Sequence, residues 1–243
     1  MTQTLRICLW STPRTVSTAL MYSFAQRQDT RVVDEPFYAA YLRASGAQHP
    51  GREEILAAQD DDGANVIRNV VLGDCDRPVL FMKHMAHHIP GVDLGFVHQV
   101  ENAFLIRDPA EMLRSVDQVV SHPTLRDVGL DVQCELYDAV AARGKEPPVI
   151  DSRELLRDPA GVLGQLCERL GLAFDEVMLR WPAGGRPEDG VWSPYWYGSL
   201  HRSTGFAPHR PKTGAVPEHL EPLLATCRPY YERLYRHALR AGD

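Results

Sequence analysis

The feature that most constrains this chain lies at its start, where a short apolar run at residues 5–10 turns through Ser11, Thr12 and Pro13 into a helical pattern. The run has the length of a buried strand. Ala19, Leu20, Tyr22 and Phe24 then recur at helical spacing, and Arg27, Gln28 and Asp29 end the pattern. A strand that feeds a helix this abruptly puts the helix N-terminus at the strand's C-terminal end. Unpaired N–H groups and a partial positive charge make that end a setting for an anion. Arg14, Thr15, Val16, Ser17, Thr18 and Ala19 fill the turn, with a fixed charge from Arg14 and hydroxyl donors from Thr15, Ser17 and Thr18. An ordinary N-cap would use the same residue types. The pattern GxxxxGK[ST] is missing, so this is not a loop that binds nucleotide together with magnesium.

Strand and helix patterns alternate along the rest of the chain. Residues 31–34, 78–82, 103–106 and 148–150 read as strands; 53–58, 65–72, 109–120, 132–142 and 158–170 read as helices; 217–241 reads as a closing surface helix. This order predicts an α/β fold of three layers, with a mostly parallel central sheet flanked by helices. At 243 residues the chain fits one such domain spanning 1–243. Residues 181–213 are rich in Gly, Pro, Trp and Tyr without a period, and are expected to form a functional loop or lid.

Composition removes several function classes. Apolar residues at 44% suffice for a large core, and a formal net charge of -6 argues against nucleic acid, an anionic membrane or a polyanionic substrate as partner. Five cysteines with no CxxC spacing read as reduced, buried thiols rather than a disulfide frame or zinc site, so no metal is expected. The start lacks a signal-peptide layout, and no apolar stretch approaches the ~18 residues of a membrane span, which predicts a cytoplasmic protein. Oligomeric state is not legible.

Three more clusters carry candidate chemistry. Arg107 ends a strand and Ser115 lies eight residues on, in the second turn of a helix opened by Pro109; together they suit a second anion, although Arg107 could equally pair with a carboxylate. Lys83 ends another strand, where ligands bind in open α/β sheets, and His84, His87 and His88 follow. Glu35, at the end of the second strand, would face the same crevice as a carboxylate base.

Taken together, these segments resemble the sulfotransferases that use 3′-phosphoadenosine 5′-phosphosulfate, and more narrowly a bacterial branch of them. Thr12 to Thr18 look like the family's 5′-phosphosulfate loop, and Arg107 with Ser115 matches its 3′-phosphate motif. Leu155-Leu156-Arg157-Asp158-Pro159 before an amphipathic helix is similar to its late segment. The resemblance covers about residues 5–206. It implies a P-loop-like fold and transfer of a sulfuryl group to a hydroxyl or amine of a small-molecule acceptor. Arg14, Thr15, Val16, Ser17, Thr18, Ala19, Arg107 and Ser115 would bind the donor, with Arg202 and Gly205 helping. Lys83 and Arg14 would stabilise the leaving oxygen, and Glu35 or a histidine, His87 among them, would take the acceptor proton. The sequence departs from the family in two places. Val16 stands where glycine is usual, so the loop is expected to hold a conformation that valine allows. Met85 stands where many relatives carry a catalytic histidine. A nucleotide-binding protein without transfer activity and a P-loop phosphotransferase are the competing readings.

Overall fold

In β1 (Leu5–Ser11), Ile7, Cys8, Leu9 and Trp10 are all buried, so both faces of the strand need cover. Helices on both sides of a parallel sheet meet that need. The computed structural model describes residues 4–120, 122–211 and 215–242 and has this arrangement. Lys212 and Thr213, which end the expected covering loop, lie outside the described residues.

After β1 come α1 (Ser17–Phe24), β2 (Thr30–Asp34), α2 (Tyr38–Ser45), α3 (Arg52–Ala58) and α4 (Gly63–Val66), the last running into a π-helical turn at Ile67–Val71. β3 (Val79–Met85) and β4 (Glu101–Ile106) lead to α5 (Pro109–Val116), α6 (Leu125–Val128) and α7 (Leu130–Ala141). β5 (Val149–Asp151), α8 (Ser152–Arg157), α9 (Pro159–Arg169), α10 (Ser193–Trp196), α11 (Glu221–Tyr235) and β6 (Ala238–Leu239) complete the order. The six strands form one parallel sheet in the order β2-β3-β1-β4-β5-β6.

Side chains alternate between the faces of the sheet. Cys8, Trp10, Met82 and Phe104 join one core with residues of α5, α7 and α11; Ile7, Leu9, Phe81 and Leu105 join the other with residues of α1 and α9. Phe24 of α1 stacks on Phe81 of β3 with centroids 4.0 Å apart. The chain leaves β1 toward β2 and β3 on one side and returns to β4 on the other. Ligands of open α/β sheets bind in the crevice at such a switch point.

The structure revises several sequence-based boundaries. β3 runs to Met85, so Lys83 lies within the strand rather than at its end, and His84 lies within it rather than after it. α5 stops at Val116, and α7 begins at Leu130, directly after Gly129 at φ 72. α2, α6 and α8 carry no clear period in the sequence; α8 instead takes its N-cap from the Asp151 carboxylate, which accepts from Arg153 and Glu154 N–H. The expected helix over 217–241 ends at Tyr235, and Ala238–Leu239 pairs with Val149 and Ile150 as a sixth strand. Two residues are too few to show a strand period, so only pairing reveals them.

Candidate functional site

The turn after β1 is held in a strained form. Arg14 has φ 63 and Val16 has φ 62 and ψ 21, so Val16 enters the left-handed region itself. The expectation that valine would keep the turn in a conformation it favours is thereby corrected. A left-handed β-branched residue costs on the order of 1–3 kcal/mol and persists only where its surroundings over-determine it. They do so here. Thr15 Oγ1 donates to Thr12 O at 2.7 Å, Ser152 Oγ donates to Thr15 O at 2.8 Å, and Arg107 Nη1 donates to Arg14 O at 2.8 Å. Left-handed residues so placed gather backbone N–H groups into an anion-binding concavity. Val16, at the N-cap of α1, gives no side-chain cap bond. Ser17 and Thr18 are buried at the head of that helix.

Arg107 and Ser115 meet at this turn. Arg14 Nε donates to Ser115 Oγ at 2.9 Å, and Arg107 donates through Nε and Nη2 to Glu111 Oε2 at 3.3 and 3.0 Å. Arg107 thus makes the carboxylate pair that its sequence allowed, while its third nitrogen braces the turn. Arg14 points to the Arg107–Ser115 end of the site.

At the centre lies a buried ionic cluster. The parallel register sets Asp34 of β2 and Leu9 of β1 on either side of Lys83 in β3. Lys83 Nζ donates to Asp34 Oδ1 at 2.8 Å, to Glu35 Oε1 at 2.5 Å and to Tyr197 Oη at 2.9 Å, which uses all three ammonium protons. Tyr197 donates to Asp34 Oδ2 at 2.6 Å and accepts from Trp192 Nε1 at 3.1 Å. Burial by itself would lower the Lys83 pKa; the two carboxylates outweigh it and hold it well above the usual lysine range. Burial raises the Glu35 pKa, against the pull of Lys83. Glu35 stands at φ 40, its N–H donating to Lys83 O at 2.8 Å, and its carbonyl accepting from Gln59 Nε2 at 3.1 Å.

Past Lys83 the walls turn aromatic. His88 is stacked between Tyr38 and Tyr41, with centroids 4.5 and 4.4 Å away, and its Nδ1 lies 3.6 Å from Glu35 Oε2. His87 meets Tyr41 edge-on at 5.4 Å, and Tyr38 Oη is 2.8 Å from His49 Nδ1. Burial pushes the His87 pKa down to about 4 and that of His88 well below the usual range. His84 takes no part. It is buried against Trp10 at 4.5 Å, neither ring nitrogen has a hydrogen-bond partner, and burial with Lys83 nearby lowers its pKa to about 3.

A single cavity of about 690 Å³ joins these parts, a size typical of small-molecule sites. It is lined by Arg14 to Ala19, Arg107 and Ser115 at one end, Lys83 and Glu35 at the centre, and His87, His88 and Trp196 beyond. Gly205 lines it too; a Cβ there would lie 2.9 Å from Leu179 O, so only glycine lets the two backbones approach. Arg202 is exposed and is not brought to the cavity. Of the aromatic residues from Trp181 to Tyr197, Trp181 and Trp192 are core, Tyr195 is exposed, and Trp196 and Tyr197 reach the cavity. Asp189 ties this segment to α1 by accepting from Tyr22 Oη at 2.7 Å and from Arg186 N–H at 2.9 Å. Sequence reasoning missed Asp34 as a partner of Lys83, and Tyr38, Tyr41 and His49 as walls. The acidic pair of Asp34 and Glu35 was visible, whereas the walls carry no motif.

Among the described residues, no group of three or more His, Cys, Asp or Glu side chains is arranged to hold a metal, and no helix is long and apolar enough to cross a membrane. Solved structures with the same architecture are a sulfotransferase domain from the Synechococcus PCC 7002 olefin synthase and a sulfotransferase from Alicyclobacillus acidocaldarius. The first has a TM-score of 0.53 and 17% identity, covering 92% of this chain and 95% of the other. The second has a TM-score of 0.56 and 14% identity, covering 96% and 95%. At such identities the likeness speaks for the fold. Two curated relatives from Arabidopsis thaliana, named branched-chain-amino-acid aminotransferase-like proteins 2 and 1, are 38% and 39% identical over 94% and 96% of this chain. The chain spans about two fifths of their length, 41% and 42%. A family model described as "Sulfotransferase domain" matches residues 5–238, nearly all that the sheet and its helices comprise, and the chain therefore belongs to that family.

Proposed function

We propose that this protein transfers the sulfuryl group of 3′-phosphoadenosine 5′-phosphosulfate to a hydroxyl or amine of a small-molecule acceptor. The observation that carries this reading is the continuity of the cavity, which runs from the strained turn through Lys83 and Glu35 to an aromatic chamber. Backbone N–H groups of the turn, with Ser17 and Thr18, would hold the 5′-phosphate. Arg107, Ser115 and Arg14 would hold the 3′-phosphate, and the segment carrying Gly205 would cover the nucleotide.

In the transfer, the acceptor oxygen forms a new S–O bond while the bond from sulfur to the phosphate oxygen breaks, its electron pair leaving with the nucleotide bisphosphate. The acceptor proton passes to Glu35. Lys83 stabilises the departing oxygen, a fixed positive donor aimed at developing charge. Its protons are all engaged, so it must give up one partner; Tyr197 is the neutral one. Burial supports Glu35 as base, because it moves the carboxyl toward neutrality and His87 away from it.

Thermal stabilisation by adenosine 3′,5′-bisphosphate against ADP with magnesium tests the donor. The bisphosphate should stabilise more, and a preference for ADP would refute the assignment. Arg107→Ala should remove the preference, a loss of about 1.5–3 kcal/mol for a charge-assisted contact.

A further inference from the structure

The cavity carries its arginines at one end. Arg14 and Arg107 line the end with the strained turn, while Lys83 at the centre has each of its protons bonded to Asp34, Glu35 or Tyr197. Beyond Lys83, among the described residues, no arginine or lysine lines the wall. Tyr38, Tyr41, Trp196 and three histidines build it, and burial leaves His49, His87 and His88 neutral at physiological pH. Among the described residues, the one formally charged side chain lining that end is Asp127.

Asp127 also has a structural duty. It closes the capping box of α6, accepting from Thr124 N–H at 2.8 Å and from Thr124 Oγ1 at 2.7 Å. Both bonds fall on Oδ2, so Oδ1 is not used by the cap. The carboxylate lines the cavity together with Tyr41, His49 and His87. The neighbouring Arg126 is exposed and does not line the cavity. An anionic group entering here would lose its water without gaining a cation, and would face both Asp127 and Glu35. A protonated amine would keep a charge partner.

We infer that the acceptor is a hydroxyl compound with a flat, apolar body whose only formal charge is a protonated amine, held by Asp127 while its hydroxyl meets Glu35. The inference rests on the sulfotransferase reading for the role of the bound molecule, and on the cavity alone for its charge.

Three phenols of matched shape separate the possibilities: tyramine, 4-ethylphenol and 3-(4-hydroxyphenyl)propionate. Calorimetric titration of the full chain, with and without saturating adenosine 3′,5′-bisphosphate, should rank them amine, neutral, carboxylate. The first and last should differ by about tenfold or more in Kd, the size of one charge-assisted hydrogen bond. Asp127→Asn should bring all three within about threefold of one another, as loss of that single contact requires. Asp127→Glu should keep the ranking. Thr124→Ala, which removes cap bonds but leaves the carboxylate, should keep it too; a ranking lost in Thr124→Ala would mean the loop's fold sets it and would overturn the inference. Binding of the carboxylate as tight as that of the amine, binding of none of the three, or a ranking that survives Asp127→Asn would also overturn it. Failure of the bisphosphate to bind counts against the donor assignment instead, since the titration without nucleotide still reads the chamber.

Discussion

The two ends of the cavity are made by opposite means. The turn end is local: within eight residues of sequence it combines a strand end, two left-handed residues and a helix start, and its charges come from arginines. The chamber end is assembled from afar. Tyr38 and Tyr41 come from α2, His87 and His88 from a short turn after β3, Asp127 from α6 and Trp196 from α10. Lys83 stands between them, neutralised by Asp34 and Glu35 from the end of β2 and bonded to Tyr197 from after α10. The contrast separates fixed backbone donors and arginine charge, which would suit a nucleotide, from a largely aromatic surface with a single carboxylate, which would offer an acceptor shape and exclusion of water.

That division can be tested where the two ends meet. Glu35→Gln should slow turnover by roughly 10²–10⁴-fold, the usual value of a positioned base, and His87→Ala by much less. Initial rates with saturating donor check this, and the reverse order would move the base into the chamber. Lys83→Met leaves Asp34 and Glu35 buried without their cation, which should cost about 3–5 kcal/mol of stability in urea unfolding. An unchanged midpoint would show that the cluster is not a buried charge balance.

Smaller effects report on each side separately. His84, with a pKa of about 3 when folded, must remain neutral, whereas its unfolded imidazole takes up a proton near pH 6.5. The unfolded state therefore binds more protons between those values, so stability is full above pH 6.5 and falls as the pH drops toward 3. His84→Phe should lessen that slope by about 1.4 kcal/mol per pH unit, read from unfolding midpoints between pH 6 and 4. An equal slope in the variant would show that His84 is charged in the fold. At the turn, Val16→Ala and Val16→Gly remove the same side-chain contacts, but only glycine relieves the positive φ. Val16→Gly should be the more stable by about 1 kcal/mol, because glycine takes the positive φ without strain. If alanine proved the more stable, the turn would not be strained as described.

Much of the turn end was legible before folding was considered. The apolar run, the hydroxyl-rich turn and the Arg107–Ser115 spacing each lie within one short stretch, a strand end and the first two turns of a helix, and such stretches leave a pattern in the chain. Arg202 shows the limit of that logic: a basic residue beside Gly205 suited the nucleotide, yet the fold turns it to solvent and brings Gly205 alone to the wall. The chamber left almost no trace. Tyr38 and Tyr41 read as any buried tyrosines until α2 packs against the turn carrying His88, and Tyr197 is one of several aromatic residues until its hydroxyl meets Asp34 and Lys83.

The sequence alone determined the alternation of strands and helices, the hydroxyl-rich turn after β1 and the identity of the central Lys83 and Glu35. Periodicity and helix-end chemistry act within a few residues, which is why these could be read. Tertiary structure decided the rest: that Val16 is forced left-handed by bonds from Ser152 and Arg107, that Lys83 is saturated, that β6 exists, and that aromatic groups from separate elements enclose one chamber. Each of these depends on groups far apart in the chain, which only packing and sheet register bring within bonding distance.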